Sequence, residues 1–339
     1  MQPSPRANLD VPSAFQRMRS LAIAAVAAFA TVASANKGFT ATEAANPWVH
    51  WTNGTHFKDM GTNQTIKHFD CDVHQGKASA HFNSTIRLLH ANNRHQYIGS
   101  GTAGHMSKRA ISPAIVVPTY IHILTKQASA GSITQTMANA QITALNKAYN
   151  PYGVKFTLAG TTFTANDAWA VAAGSDMNAL KQNLRQGTYS SLNLYFHTDL
   201  SGGVLGTCTL PSQVSPGTPV SAYYTDGCNI AAATMPGASM QGYNQGKTAV
   251  HETGHWLGLL HTFEGYACSG NGDFIADTNF ESASTDGCPT SPAKSTCGTK
   301  GGDPIHNYMD YSTDACYSRF TLGQVARISS MWNRYRKGN

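Results

Sequence analysis

A chain of 339 residues that is 41% hydrophobic and carries 31 glycines suits one large or two modest globular domains rich in loops. Charged residues make up only 12%, about half the usual share. The formal net charge of +6 sits wholly in the first third: residues 1–109 hold 11 Lys/Arg against 5 Asp/Glu, and residues 110–339 hold 13 of each. With no basic run in the remainder, the charge argues against nucleic acid or another polyanion as partner.

The first 35 residues read as an N-terminal extension and a secretory signal. Arg17-Met18-Arg19 is a basic n-region, residues 21–32 are apolar, and Ala33-Ser34-Ala35 is a small-x-small cleavage site. Met18 is an alternative translation start. Twelve apolar residues are too few to span a bilayer, so no membrane association is expected. A secreted chain meets an oxidising compartment, which suits its seven cysteines; six lie between 208 and 316, and the odd one, Cys71, stands alone upstream.

Residues 36–109 differ in composition from the remainder of the chain. They hold eight of the 14 histidines, Cys71, and three glycosylation sequons at Asn53, Asn63 and Asn83. The stretch ends at the basic pair Lys108-Arg109, a site for a processing protease at a change of composition. We read 36–109 as a removable prosegment and 110–339 as the mature domain.

The mature part alternates strand and helix. Strands are expected at 115–124, 154–158 and 192–196. Between them lie a helix over 132–150, with Ser132 as N-cap, and a helix over 176–186 opened by Asp176. This order implies a twisted α/β sheet. Past residue 262 Gly, Asp, Thr and Cys dominate until a closing helix at about 321–335.

The chemistry lies in TAVHETGHWLGLLH. His251 and His255 are four apart, so on a helix both imidazoles leave one face and can chelate one cation. Glu252 sits beside them as a general base for a zinc-bound water, whose pKa zinc brings to about 7. Gly258 can end the helix in the left-handed conformation and return His261 as third ligand. The fourth position stays open, as in a catalytic zinc site. H-E-x-x-H alone is a weak signal, but the extended H-E-x-x-H-x-x-G-x-x-H is the metzincin signature, and Met309 in NYMDY suits the methionine turn below the zinc.

From about 115 to 330 the chain resembles the pappalysin family of metzincins, particularly secreted fungal-type extracellular metalloproteases. The matching stretches are VLGTCTLP, GKTAVHETGHWLGLLHTFEG, GDFIADT, GCPTSPAKSTC and GGDPIHNYMDYSTDAC. The resemblance implies an α/β (α+β) fold: a twisted five-stranded sheet with helices above a zinc cleft, and an irregular disulfide-bridged lower half. It implies Met309 as the Met-turn residue and Tyr311 as stabiliser of the oxyanion, with simple packing as the alternative for Tyr311. It also implies the bridges Cys268–Cys297 and Cys288–Cys316, though four cysteines allow three arrangements. Loops of this size contribute roughly 3–4 kcal/mol each in the chain-entropy model. Cys208 and Cys228 are then left to pair by parity.

Relatives of this kind carry calcium, for which Asp273, Asp277, Thr278 and Glu281 are oxygen donors. Their Asp-Thr-Pro reads Asp-Thr-Asn at 277–279 here, so a solvated acidic loop stands beside calcium. Cys71 is the one upstream thiol able to fill the open zinc position as a cysteine switch. Its setting is FDCDVH where the family has Cys-Gly-Thr, so an intermolecular disulfide or an inert thiol stay open. The prosegment histidines are further candidates to cap the metal or respond to pH.

The expected protein is thus a secreted, monomeric zinc endopeptidase acting on proteins or peptides and inhibited by its own prosegment. Substrate should lie extended on an edge strand, sought within 219–230. A catalytically silent zinc-binding interaction module is the rival of another class, and the intact Glu252 and three histidines argue against it. A thermolysin-like enzyme would take a downstream carboxylate as third ligand, and the Gly258/His261 pair argues against that.

Overall fold

The computed structural model describes residues 49–53, 56–59, 63–98 and 115–339. The leader at 1–35 and the pair Lys108-Arg109 lie outside them. Within the upstream stretch, β1 (Val49–Asn53), β2 (His56–Asp59) and β3 (Thr65–Lys67) form a small antiparallel meander in that order. Residues 68–77 then run across residues of the downstream part, and α1 (Ala80–Ile98) comes next. On α1, Phe82 and Ile86 are buried with Leu260, Phe274, Met331 and Tyr335.

The larger sheet comprises β4 (Ile115–Thr125), β5 (Val154–Ala165), β6 (Leu192–His197), β7 (Gly206–Cys208) and β8 (Cys228–Ala231). Its order is β5-β4-β6-β8-β7; the first four run parallel and β7 is antiparallel to β8. Parallel strands need crossovers, which α2 (Gln135–Tyr149), α3 (Asp167–Val171) and α4 (Ser175–Leu184) supply. Covered on both faces, β6 buries all six of its residues, so LNLYFH shows no alternation.

Several boundaries differ from the sequence reading; the helix expected to open at Asp176 is α4, Ser175–Leu184, with Gly174 at its N-cap. The N-cap of α2 is Thr134, whose hydroxyl accepts from the Met137 amide at 3.3 Å, not Ser132. Ile133 takes the position before the cap and is buried with Ala138, the arrangement of a hydrophobic staple. β5 continues to Ala165 because, as an edge strand, its second half is polar and partly exposed. The closing helix α6 (Leu322–Met331) carries a capping box between Thr321 and Gln324, and gives way to a π-helical turn at Trp332–Arg336.

The substrate edge sought within 219–230 is also corrected. Residues 228–231 are β8, an inner strand, and the antiparallel outer strand is β7. Cys208 is paired with Cys228 across this last pair of strands.

Helix α5 (Lys247–Trp256) is buried from Thr248 onward. It packs between the sheet and the loops beyond it, through Val250 among Leu145, Tyr149, Leu194, Phe196, Ile230 and Ile328. Behind it, Arg336 lies over the Trp256 and Tyr189 rings at 3.8 and 4.2 Å. Its guanidinium donates to Asp226 Oδ2 at 2.9 Å, to which Trp256 Nε1 donates at 3.0 Å. The segment after α5 is irregular and closed by Cys268–Cys297 and Cys288–Cys316. Among the described residues no helix is long and apolar enough to cross a membrane.

Candidate active site

The four-residue spacing on α5 sets His251 and His255 on one face, their Nε2 atoms 3.1 Å apart. Gly258, at φ +89°, ends the helix, and a Cβ there would lie 2.5 Å from Met331 Cγ. The turn it permits returns His261 Nε2 to 3.2 Å from His255 Nε2. Each helical imidazole is held from behind by a carbonyl that accepts its Nδ1–H: Tyr308 O for His251 at 2.8 Å and Leu259 O for His255 at 2.9 Å. Burial holds both well below the usual imidazole range, His255 at about 4, and the neighbouring His255 adds to the lowering at His251. They are therefore neutral, with lone pairs on Nε2.

Converging lone pairs at this distance repel unless a cation lies between them. Metal–nitrogen bonds of about 2.0–2.1 Å in a tetrahedron space the nitrogens roughly 3.3 Å apart, so the three residues fit a zinc-sized ion. Cys71 brings a fourth donor; its ligand atom and those of the three histidines all lie within 4.8 Å of one another. Among the described residues no histidine upstream of β4 joins this group. His68 instead meets Asp286 at 2.6 Å, and His81 meets the Tyr335 hydroxyl at 2.8 Å.

Glu252 is fully buried beside the cluster. One oxygen accepts from the Cys71 thiol at 3.4 Å and the other has no partner. Burial above all, with the charge of Asp70 adding, pushes its pKa up to about 8 against the lowering bond from Cys71. The carboxylate has room because Gly206 of β7 lacks a side chain. A Cβ there would lie 2.6 and 2.7 Å from Glu252 Cγ and Cδ and would strike Oε1.

The turn below is equally tight. Met309 is wholly buried under α5, where a Cβ on Gly254 would collide with its sulfur. The Thr262 amide donates to Met309 O at 3.2 Å, which ties the turn to the residue after His261. Two positions on, the Tyr311 hydroxyl accepts from the Cys71 amide at 3.0 Å and donates to Cys71 O at 2.9 Å.

Residues 69–73 lie as an extended strap on the outer edge of β7. The Leu205 amide donates to Asp70 O at 2.9 Å, and Cys71 bridges Gly206 in parallel. Alternate side chains face inward, as an extended chain requires: Phe69, Cys71 and Val73 are buried, whereas Asp70 is half-buried and Asp72 exposed.

Residues 180–333 match the family model described as pregnancy-associated plasma protein-A. An extracellular metalloprotease of Neurospora crassa is 44% identical over 275 residues, which is 80% of this chain and 90% of that protein. One of Sordaria macrospora is 47% identical with the same coverage. The chain is a pappalysin-family metalloprotease. Among solved structures, it is similar to mature mirolysin of Tannerella forsythia in complex with a cleaved peptide (TM-score 0.56, 28% identity, 65% of this chain and 92% of that one). A promirolysin mutant covers more of it (TM-score 0.60, 26% identity, 78% and 93%).

The remaining residues of interest in this metalloprotease fall in separate places. Asp273, which also accepts from the Ile275 amide at 3.0 Å, and Thr278 interact through their side chains along one pocket of about 260 Å³. Asp277 instead accepts from Thr321 Oγ1 at 2.8 Å and the Gly323 amide at 2.9 Å at the start of α6. Glu281 accepts from Lys294 at 2.7 Å, Thr262 at 2.9 Å and Thr285 at 3.0 Å. Of the four donors considered for calcium, the structure therefore brings only Asp273 and Thr278 together along that pocket. Asn63 is exposed, Asn83 is half-buried on α1, and Asn53 ends β1. Two site residues escaped the sequence reading. Gly206 and Gly254 lie inside matching stretches, but a glycine reveals its role only through the atoms that crowd it.

Proposed function

We propose that this metalloprotease is a secreted zinc endopeptidase made as a zymogen. The observation that carries the reading is the convergence of three neutral imidazoles on one point, with the Glu252 carboxyl and the Cys71 thiol beside it. His251, His255 and His261 would hold the zinc ion, which when bound supplies Lewis acidity toward the peptide carbonyl and the attacking water. Beside a cation held by the three histidines Glu252 is favoured in its ionised form; it then accepts the proton of that water and hands it to the leaving amine, and its burial keeps the transfer out of bulk solvent. Tyr311, freed from Cys71, donates its hydroxyl to the carbonyl oxygen as negative charge grows there.

In the zymogen Cys71 fills the position that the water needs, and the strap covers the edge of β7 where an extended substrate would add. A thiol facing a cation loses its proton readily, which favours such a bond. Cleavage after Arg109 would let residues 36–109 depart. Secretion draws support from the leader at 1–35 and from relatives named extracellular metalloproteases. Asn53, Asn63 and Asn83 would then be open to glycosylation. Asp273 and Thr278 are the donors left to calcium.

Casein hydrolysis by secreted material processed at Arg109 tests this. Activity should vanish with a zinc chelator and with Glu252→Ala, and should appear in unprocessed Cys71→Ala. Activity that survives Glu252→Ala removes the mechanism.

A further inference from the structure

The irregular segment after α5 is organised around one ammonium group. Lys294 lies between Cys288 and Cys297, both of them bridged, so the chain is fixed on either side of it. Its Nζ donates to Glu281 Oε1 at 2.7 Å, to Thr285 Oγ1 at 3.0 Å and to the Ala283 carbonyl, which uses all three of its protons. Asp303 Oδ2 stands 3.2 Å away, and buried Asp310 adds its charge to the same group. Against the lowering effect of burial, the charges of Glu281, Asp310 and Asp303 hold the ammonium above the usual lysine range. A lysine is almost never placed this deep unless it is paired, and the Lys294 side chain is only 11% exposed.

The residues around this cation also reach the metal site. Glu281 Oε2 accepts from the hydroxyl of Thr262, the residue after His261, at 2.9 Å. Asp310 stands between Met309 and Tyr311, and its Oδ1 accepts from the amides of Tyr311 at 2.7 Å and Thr285 at 3.0 Å. Asp303 Oδ1 accepts from the Thr296 amide at 2.9 Å, beside Cys297. The carboxylates of Glu281, Asp303 and Asp310 are near enough to raise one another's proton affinity. Without a cation among them they would repel or take up protons, and the stretches that carry them would part.

Glu281 does not fit a calcium ion in this setting. Calcium draws its oxygens in to about 2.3–2.6 Å, and among the described residues no group of three carboxylates closes to within 4.8 Å. The oxygens here are spaced for the longer hydrogen bonds of an ammonium. We propose that Lys294 is a positioning residue for the metal site: its ammonium, in place of a metal ion, binds the stretch that carries His261 to the turn that carries Met309 and Tyr311. The charge balance of this cage is independent of the zinc reading above, on which only the positioning role rests.

Metal-free full chains of the parent, of Lys294→Ala and of the pair Glu281→Gln with Lys294→Met are compared by thermal melting. Lys294→Ala should melt at least about 6 °C below the parent, the shift expected when buried charges lose one partner in a domain of this size. Ethylammonium chloride, which refills the space of the missing stem and head, should recover about half of that shift or more, and sodium chloride at equal strength should not. The pair variant removes opposite charges together and should melt closer to the parent than Lys294→Ala. A Lys294→Ala midpoint within about 2 °C of the parent overturns the proposal. A shift that ethylammonium leaves unchanged overturns it too, whether or not calcium chloride recovers it. Should Lys294→Ala not fold, the pair variant decides: its folding supports the proposal, and its failure shows that packing rather than charge fixes Lys294 and overturns it. Zinc affinity, titrated with a zinc-selective dye, reads the positioning role. It should fall about tenfold or more in Lys294→Ala, the range for losing a group that supports a ligand, and return with ethylammonium. An affinity within about threefold of the parent overturns that role. A parent that binds no zinc would fail the zinc reading instead, and the midpoints then decide the cage alone.

Discussion

Substitution of Gly206 by alanine isolates the place of the general base. Gly206 lies outside the left-handed region, so alanine meets no backbone penalty on β7. The added Cβ would stand 2.6 Å from Glu252 Cγ and 2.7 Å from Cδ, where carbon atoms ordinarily keep about 3.5–4.0 Å. The carboxylate must therefore retreat by about 1 Å, and a displacement of that size costs on the order of 10²-fold in rate. That corresponds to about 2.7 kcal/mol of lost transition-state stabilisation. The assay compares kcat on a fluorogenic peptide with metal content and thermal midpoint for the processed protein. We expect a hundredfold fall in kcat at unchanged metal content, with the midpoint lowered to match about 1–3 kcal/mol of overpacking at a buried site. A Gly206→Ala protein within threefold of the parent would refute the reasoning, because Glu252 would then have freedom that its full burial denies.

Three other outcomes are expected. Tyr311→Phe should lower kcat by about 10²–10³ with little change in KM, the range for loss of one oxyanion donor; an equal loss through KM would assign Tyr311 to packing. Arg336→Ala should cost about 3–5 kcal/mol, the range for breaking a buried ion pair, since it leaves buried Asp226 to Arg185 at 3.4 Å and the neutral Trp256 and Thr209 donors; chemical denaturation reads it. His122, held between Thr162 and Asn193, is kept neutral by burial at a pKa of about 4. Its contribution is present above the unfolded value near 6.5 and is lost as pH falls toward 4, about 2 kcal/mol by pH 5. His122→Gln should therefore lose that much less stability than the parent between pH 7 and pH 5, measured by urea unfolding at both.

The legible parts of the site were those written locally. Three ligands and a base fit within eleven residues, where helical period and one glycine determine their geometry. Strands such as β4 and β6 announced themselves by predominantly apolar and aromatic runs. The edge strand did not: β7 is three residues long, too short for any alternation, and becomes an edge only through its partner β8. The polar half of β5 was hidden for a related reason, since an outer strand facing water carries little hydrophobic pattern. FDCDVH alternates in period two, yet its place depends on a hydrogen bond between Cys71 and Tyr311, which are 240 residues apart. Gly206 and Gly254 act by what they leave out, and only the packed neighbours make that visible. The expected calcium donors scattered because Lys294 and the start of α6 already satisfy Glu281 and Asp277.

The odd cysteine bears on how the chain survives its own oxidation. Six thiols must find three partners while a seventh is present, and a wandering thiolate can attack a correct bridge and reshuffle it. Seated in the strap, Cys71 has its sulfur buried, out of reach of the bridges and of passing glutathione. On cleavage after Arg109 that sulfur would leave with the peptide that carries it. The protease that remains would hold an even set of cysteines, with no internal nucleophile left to unpick them.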